Sequence, residues 1–142
     1  MLKDSLKTLL ADVVTFYFQA HGCHWNIEGA DFSEYHALFE SIYEDVYSSI
    51  DPIAENLRKL GEYVPFGLDS FAKEATIEFG PVAPVAKNMA NYLLEANEKV
   101  IVSVNAAFQD ATKENEQGIC NFLADRDDKH KFWRWQLRSS VK

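Results

Sequence analysis

Thiols are scarce in this chain. Cys23 and Cys120 are the only two in 142 residues, and no CxxC spacing pairs them. That argues against a disulfide scaffold and suits a reducing compartment. Long apolar runs are missing as well: none approaches the roughly 18 to 20 residues of a spanning helix. No basic-then-apolar leader opens the sequence. Basic charge is outweighed, since 14 Lys and Arg face 22 Asp and Glu and leave a formal net charge of −8. An acidic body repels nucleic acid and anionic membranes and attracts cations. Strand-like alternation of any length, internal repeats and low-complexity segments are all absent. The expectation is a soluble, cytoplasmic chain forming one domain over residues 1–142, long enough to bury a substantial core unaided.

What is present is helical periodicity. Leu2, Leu6, Leu9, Leu10, Val13, Phe16, Tyr17 and Ala20 recur at three- and four-residue intervals, the stripe of one helix. Gly22 and the "NIEGADF" stretch are predicted to end it. A second stripe runs from Tyr35 through Phe39, Ile42, Val46, Ile53 and Leu57 to Leu60. It opens at Asp31 with Glu34 three later, a capping-box spacing, and closes at Gly61. Gly61, Pro65, Gly67, Gly80 and Pro81 then mark a long crossover, predicted to carry one short helix near 69–75. A third stripe spans Val82 to Ala107, and a fourth spans Ile119 to Leu137. Four helices with one long central connection describe an all-α bundle of the ferritin-like kind, not an up-down-up-down bundle with short loops.

The chain has only four histidines, and two of them fall in "HGCHWNIEG" where the first stripe runs out. His24 lies on that helix's apolar face. It is either a core histidine bonded to a backbone carbonyl or a metal ligand. The second helix adds two pairs at helical spacing, His36 with Glu40 and Asp51 with Glu55, and each pair shares one face. Taken singly, Glu40 and Asp51 read equally well as a solvated charged face. As a set, imidazoles and carboxylates without thiolate suit iron or manganese better than a structural zinc site.

Geometry excludes the simplest arrangement. His36 and Asp51 are fifteen residues apart on one helix, about 22 Å at 1.5 Å per residue, so they cannot share an ion within one chain. Two copies of this helix running antiparallel across a two-fold axis would bring His36 of one to Asp51 and Glu55 of the other, twice by symmetry. The intrasubunit Glu-x-x-His signature of di-iron bundles is missing: Phe18, His21, Ser33 and Asp127 stand three before the four histidines.

"HWNIEGADFSEYHALFESIY" followed by "DPIAENLRKLG" resembles the Dps family, the miniferritins that protect DNA in starved cells. The shared pattern is His-Trp-Asn, a histidine twelve residues after the first, then Asp-x-x-x-Glu after fifteen more. It is strongest over residues 17–61. The resemblance implies a homo-oligomeric, dodecameric shell with iron ferroxidase sites at the two-fold interfaces. It assigns His24 and His36 to one subunit and Asp51 and Glu55 to its partner. Glu40 falls where the family usually has a carboxylate near the second iron. Trp25 matches a tryptophan thought to intercept oxidising equivalents, though a packing aromatic reads as well. His21 matches a common family histidine and is expected to support the ligand or the core. Such a site would oxidise iron(II) with peroxide or dioxygen and pass iron(III) to an acidic cavity, storing iron and limiting oxidative stress. Asp110, Glu114 and Glu116 are candidates for a cation pore. His130, on the fourth stripe before Trp133, is expected to be structural.

The sequence also departs from the family. Members that bind DNA tightly commonly carry a lysine-rich arm before the first helix, whereas this stripe begins at Leu2. The last helix holds Arg126, Lys129, Lys131, Arg134, Arg138 and Lys142, a mild positive excess that a helix C-terminus favours anyway. Weak or absent DNA binding is therefore expected, and a DNA-compacting shell with a vestigial iron site is the alternative. Pro52, directly after Asp51, deletes one helix hydrogen bond and is expected to bend the helix there.

Overall fold

A computed structural model describes residues 1–142 and contains five helices: α1 (Leu2–Asn26), α2 (Phe32–Lys59), α3 (Leu68–Glu74), α4 (Ala86–Lys113) and α5 (Gln117–Ser140). The four long helices form the bundle. α1 packs on α2 and α4, α4 packs on α5, and the short α3 lies against α1 within the crossover. No helix is long and apolar enough to cross a membrane.

The stripes read from the sequence become the core. Leu6, Leu9, Leu10 and Phe16 of α1 meet Phe39, Ile42, Ile53 and Leu57 of α2 and Met89 and Leu93 of α4, all essentially inaccessible. Each such side chain contributes roughly 1.5–3 kcal/mol by leaving water.

Three boundaries differ from expectation. Gly22 does not end α1, which continues through Asn26 because Cys23 and His24 are buried anchors one step further on. The stop is Ile27 in an extended conformation, followed by Gly29 at φ 123°, a backbone state that favours glycine. The Asp31–Glu34 capping box does not form, since Asp31 caps α2 without a side-chain hydrogen bond. α4 starts at Ala86 and not at Val82, because Pro81 and Pro84 disfavour helix in the residues before them. Pro52, by contrast, lies inside α2 without ending it. The short crossover helix occupies Leu68–Glu74, within a residue of its predicted place.

Two carboxylates, one buried and one half-buried, tie the bundle together. Asp12 of α1 is fully buried. It accepts from the N–H and hydroxyl of Thr76, from the N–H of Ile77 and from the hydroxyl of Ser103. One side chain thus clamps the crossover and α4 onto α1, and its desolvation is compensated by four donors. Asp45 of α2 receives both Nη atoms of Arg126, at 3.0 and 2.9 Å, and Nε1 of Trp133 at 2.8 Å. Burial raises its pKa, but Arg126 and Trp133 outweigh that and hold it below the ordinary carboxylate value. Arg126 also donates to Nε2 of the buried His130, whose Nδ1 donates to the Asn97 side-chain oxygen. Burial first, then the Arg126 charge, push His130 down to about 3, so it stays neutral. His130 is a structural residue, as its place on the stripe indicated.

Candidate metal centre

The last turn of α1 and the first turns of α2 run past each other, and their histidines meet. His24 and His36 stack with ring centroids 3.6 Å apart and 18° between planes. Nδ1 of His24 donates to the backbone oxygen of His36 at 2.8 Å, and Nδ1 of His36 donates to the backbone oxygen of His24 at 2.7 Å. A carbonyl can only accept, so each Nδ1 carries a proton and Nε2 is the nitrogen left without a partner. A backbone oxygen thus fixes the orientation of each ring through Nδ1, as in imidazoles that bind an ion through Nε2.

Glu40, one turn along α2 from His36, brings a carboxylate oxygen to 3.9 Å from Nε2 of His24. His24 is buried and His36 half-buried, while Glu40 is exposed, so the three open onto the surface of the chain. Asp51 and Glu55 are also exposed but lie four to five turns further along α2. No group of three metal-binding side chains converges within one chain. The structure therefore brings His24 to His36 and, at 3.9 Å, to Glu40, short of a three-ligand cluster, and leaves Asp51 and Glu55 apart.

An aromatic cluster lines the site. His21 stacks on Tyr43 at 3.8 Å and 11°, lies 4.2 Å from the Trp25 ring, and its Nδ1 is 2.8 Å from the Tyr17 hydroxyl. Burial, with a smaller contribution from His24, lowers the His21 pKa. Trp25 itself is 62% exposed, too open to be a packing aromatic of this chain's own core. Phe32 covers the other side, stacked on His36 at 4.8 Å. Sequence reading overlooked Tyr17, Phe32 and Tyr43, although each sits three or four residues, or seven, from a site histidine on the same helix.

The remaining predicted features are occupied in other ways. Asp110 lies 3.5 Å from the Met1 ammonium, and Glu114 accepts the Leu2 N–H at 2.9 Å. Two of the three pore candidates thus hold the first turn of α1. Of the six cations of α5 and its end, Arg126 is bound to Asp45, Lys131 to Asp127 and Arg134 to Glu98.

Comparison with known proteins identifies the fold and the family. Residues 3–139 match the ferritin-like domain family. A DNA protection during starvation protein of Porphyromonas gingivalis is 33% identical over 105 residues, 70% of this chain and 66% of that protein. The Dps protein of Vibrio cholerae O1, described as a member of a broad superfamily of ferritin-like diiron-carboxylate proteins, superposes with a TM-score of 0.94 at 26% identity. That match covers 99% of this chain and 89% of the other. The chain belongs to the Dps family of ferritin-like proteins. A low temperature-induced protein of Nostoc sp. is a further relative, 31% identical over 93% of this chain and 75% of its own length. For a Dps-family fold, the helix order and the central crossover with its short helix are now accounted for by the residues that build them.

Proposed function

We propose that this Dps-family chain is the subunit of a miniferritin shell, most simply a dodecamer, that oxidises iron(II) and stores iron(III). One Dps-type domain, residues 1–142, suffices for the subunit. Each oxidation site is shared: His24, His36 and Glu40 come from one chain, and Asp51 and Glu55 from its antiparallel partner. The observation that supports this reading is the reciprocal imidazole–carbonyl latch, which engages Nδ1 of both rings and leaves Nε2 of each free of a hydrogen bond, that of His24 3.9 Å from Glu40. Two imidazoles and three carboxylates form a donor set for iron(II), the substrate, with positions left open for an oxidant.

The roles follow from the donors. His24 and His36 supply neutral nitrogen. The carboxylates supply negative charge, which favours iron(III) over iron(II) and so assists electron loss. Two iron(II) ions give the two electrons that, with two protons, reduce one hydrogen peroxide to two waters. Dioxygen is the alternative acceptor. Consuming peroxide and iron(II) together leaves less of either to form hydroxyl radical, the basis for a protective role against oxidative stress in the cytoplasm. Trp25 and the His21–Tyr17 pair stand beside the ligands as accessory groups.

The alternative, a DNA-compacting shell with a vestigial site, draws on the cations of α5. Three of those six are paired internally, which removes half of its basis. The test is native mass measurement with anaerobic iron(II) titration followed by peroxide. A closed oligomer that binds iron(II) and turns it over to iron(III) supports the proposal. A monomer, or an oligomer inert to iron(II), overturns it.

A further inference from the structure

Ten polar or charged residues of the chain are buried. Nine of the ten are held by side-chain hydrogen bonds within the chain, as Asn97 is to His130 and Gln19 to the Glu78 backbone. Asn56, only 4% exposed, is the exception: its carboxamide bonds to nothing else in the chain. Nor is that group sealed away. The enclosed side-chain atoms without a partner belong to Gln19, Arg126 and Asp127. Asn56 instead lines a hollow of about 270 Å³ between the second half of α2 and the start of α5. A buried amide costs free energy unless something bonds to it, so its open side calls for a partner.

The other walls of the hollow say which kind. Glu55 and Lys59 stand beside Asn56 on α2, and Glu116, the N-cap of α5, stands on the α5 side. Neither carboxylate forms an ion pair within 4 Å, and the Lys59 ammonium reaches neither. Glu116 makes no side-chain cap hydrogen bond, so its carboxylate is not engaged by the first turn of α5. Two carboxylates and one carboxamide are three hard oxygen donors, with no thiolate or imidazole among them. The carboxylates alone fall short of a group of three metal-binding side chains, and Asn56 supplies the third donor. Two negative charges against one ammonium leave the hollow acidic, which disfavours an anion at the α5 N-terminus.

We infer that Glu55, Asn56 and Glu116 form a second cation site, within one chain, for a hard, oxygen-preferring ion. Glu55 also belongs to the proposed shared oxidation site, and on that reading the two sites meet at one carboxylate. Iron(III), harder than iron(II), prefers the all-oxygen set to a site with two imidazoles. The hollow then receives oxidised iron from the shared site, with Glu55 as the residue common to both.

The test is terbium(III) binding to the metal-free full chain in its native assembly, read by luminescence lifetime and by thermal melting. Terbium(III) is a hard ion with no redox step under these conditions. Binding should weaken by about tenfold or more in Asn56→Leu and in Glu116→Gln, since each removes a donor. It should persist in Asp51→Asn, which damages only the shared site, and tighten in Lys59→Met, which removes the competing charge. Asn56→Leu should keep wild-type helix content by circular dichroism and melt no lower than the wild type without metal. It should nevertheless lose the rise in melting temperature that terbium(III) gives the wild type. Binding unchanged in both Asn56→Leu and Glu116→Gln overturns the site. Binding abolished by Asp51→Asn would leave only water in the hollow, and overturns it as well. Protection by inorganic phosphate that Lys59→Met removes would make the hollow an anion site, with the same consequence.

Iron separates this site from the shared one. In Asn56→Leu a first addition of iron(II) should be oxidised at the wild-type rate, and a second more slowly than in the wild type. A second addition oxidised as fast as in the wild type overturns the hand-off. Terbium(III) held in the hollow of a protein inert to iron(II) retains this site and loses the shared one. A protein that oxidises iron(II) but binds no terbium(III) in the hollow loses only this site.

Discussion

His130 shows how a side chain's surroundings set its role. Buried, held by Arg126 and Asn97, and kept neutral with a pKa of about 3, it resists protonation in the folded chain. In the unfolded chain it titrates near its ordinary value of 6.5. Below pH 6.5 the unfolded state therefore takes up a proton that the folded state refuses, and stability falls as pH drops from about 6.5 toward about 3. The slope approaches 1.4 kcal/mol per pH unit for this one group. Chemical denaturation at pH 7 and at pH 5 should differ accordingly, and His130→Ala should flatten much of that difference. The same variant should cost about 2–4 kcal/mol, because it opens a cavity in the core and leaves the Asn97 side-chain oxygen without its donor, while Arg126 keeps Asp45. Iron(II) oxidation should be nearly unchanged in it. Spacing along α2 made His36, Glu40, Asp51 and Glu55 legible as candidate ligands; their type pointed to iron or manganese, and the family resemblance to iron. The latch between His24 and His36 was not legible, because each Nδ1 bonds to a backbone oxygen that sequence does not display.

Among elements, α1 bears the most constraint, contacting α2, α3 and α4. Its periodic stripe is readable, and it ends at Asn26, the first residue of the "NIEGADF" stretch expected to close it. Gly22 begins no stop: it lies in helix with space around it, and the buried Cys23 and His24 carry the helix onward. Gly22→Ala should therefore stabilise the chain by about 0.5–1 kcal/mol, seen as a higher denaturation midpoint. A lower midpoint would mean that Gly22 serves a contact within the chain. Asp12 escaped notice for a different reason. An acidic residue beside an apolar stripe reads as surface charge, and only the crossover folding back supplies the donors that make its burial tolerable. Asp12→Ala should cost about 2–4 kcal/mol by stranding its four donors. Amide exchange at Thr76 and Ile77 should accelerate in that variant before exchange in the bundle core does.

At the scale of the whole molecule, charge and assembly dominate. With a net charge of −8 and half of the C-terminal cations paired internally, the protein should show little affinity for duplex DNA at about 0.15 M salt. Retardation of DNA at neutral pH under those conditions would show that Lys129, Arg138 and Lys142 outweigh the acidic surface. Four helices and a crossover were legible because each stripe is local. The proposed partner surface rests on exclusion, from ligands too far apart on one helix to meet.

The shared site is tested most directly by mixing two damaged chains. His36→Ala and Glu55→Ala alter positions nineteen residues apart on α2, yet each should slow iron(II) oxidation by at least tenfold as a homo-oligomer. When the two are unfolded together and reassembled, an interface that pairs one chain of each kind carries one site with both lesions and one site with none. The oxidation rate of the mixed oligomer, with its composition confirmed by native mass, should rise well above that of either parent, toward one quarter of the wild-type rate for random assembly from equal amounts. A mixed oligomer that contains both chains and recovers no activity would contradict the shared site.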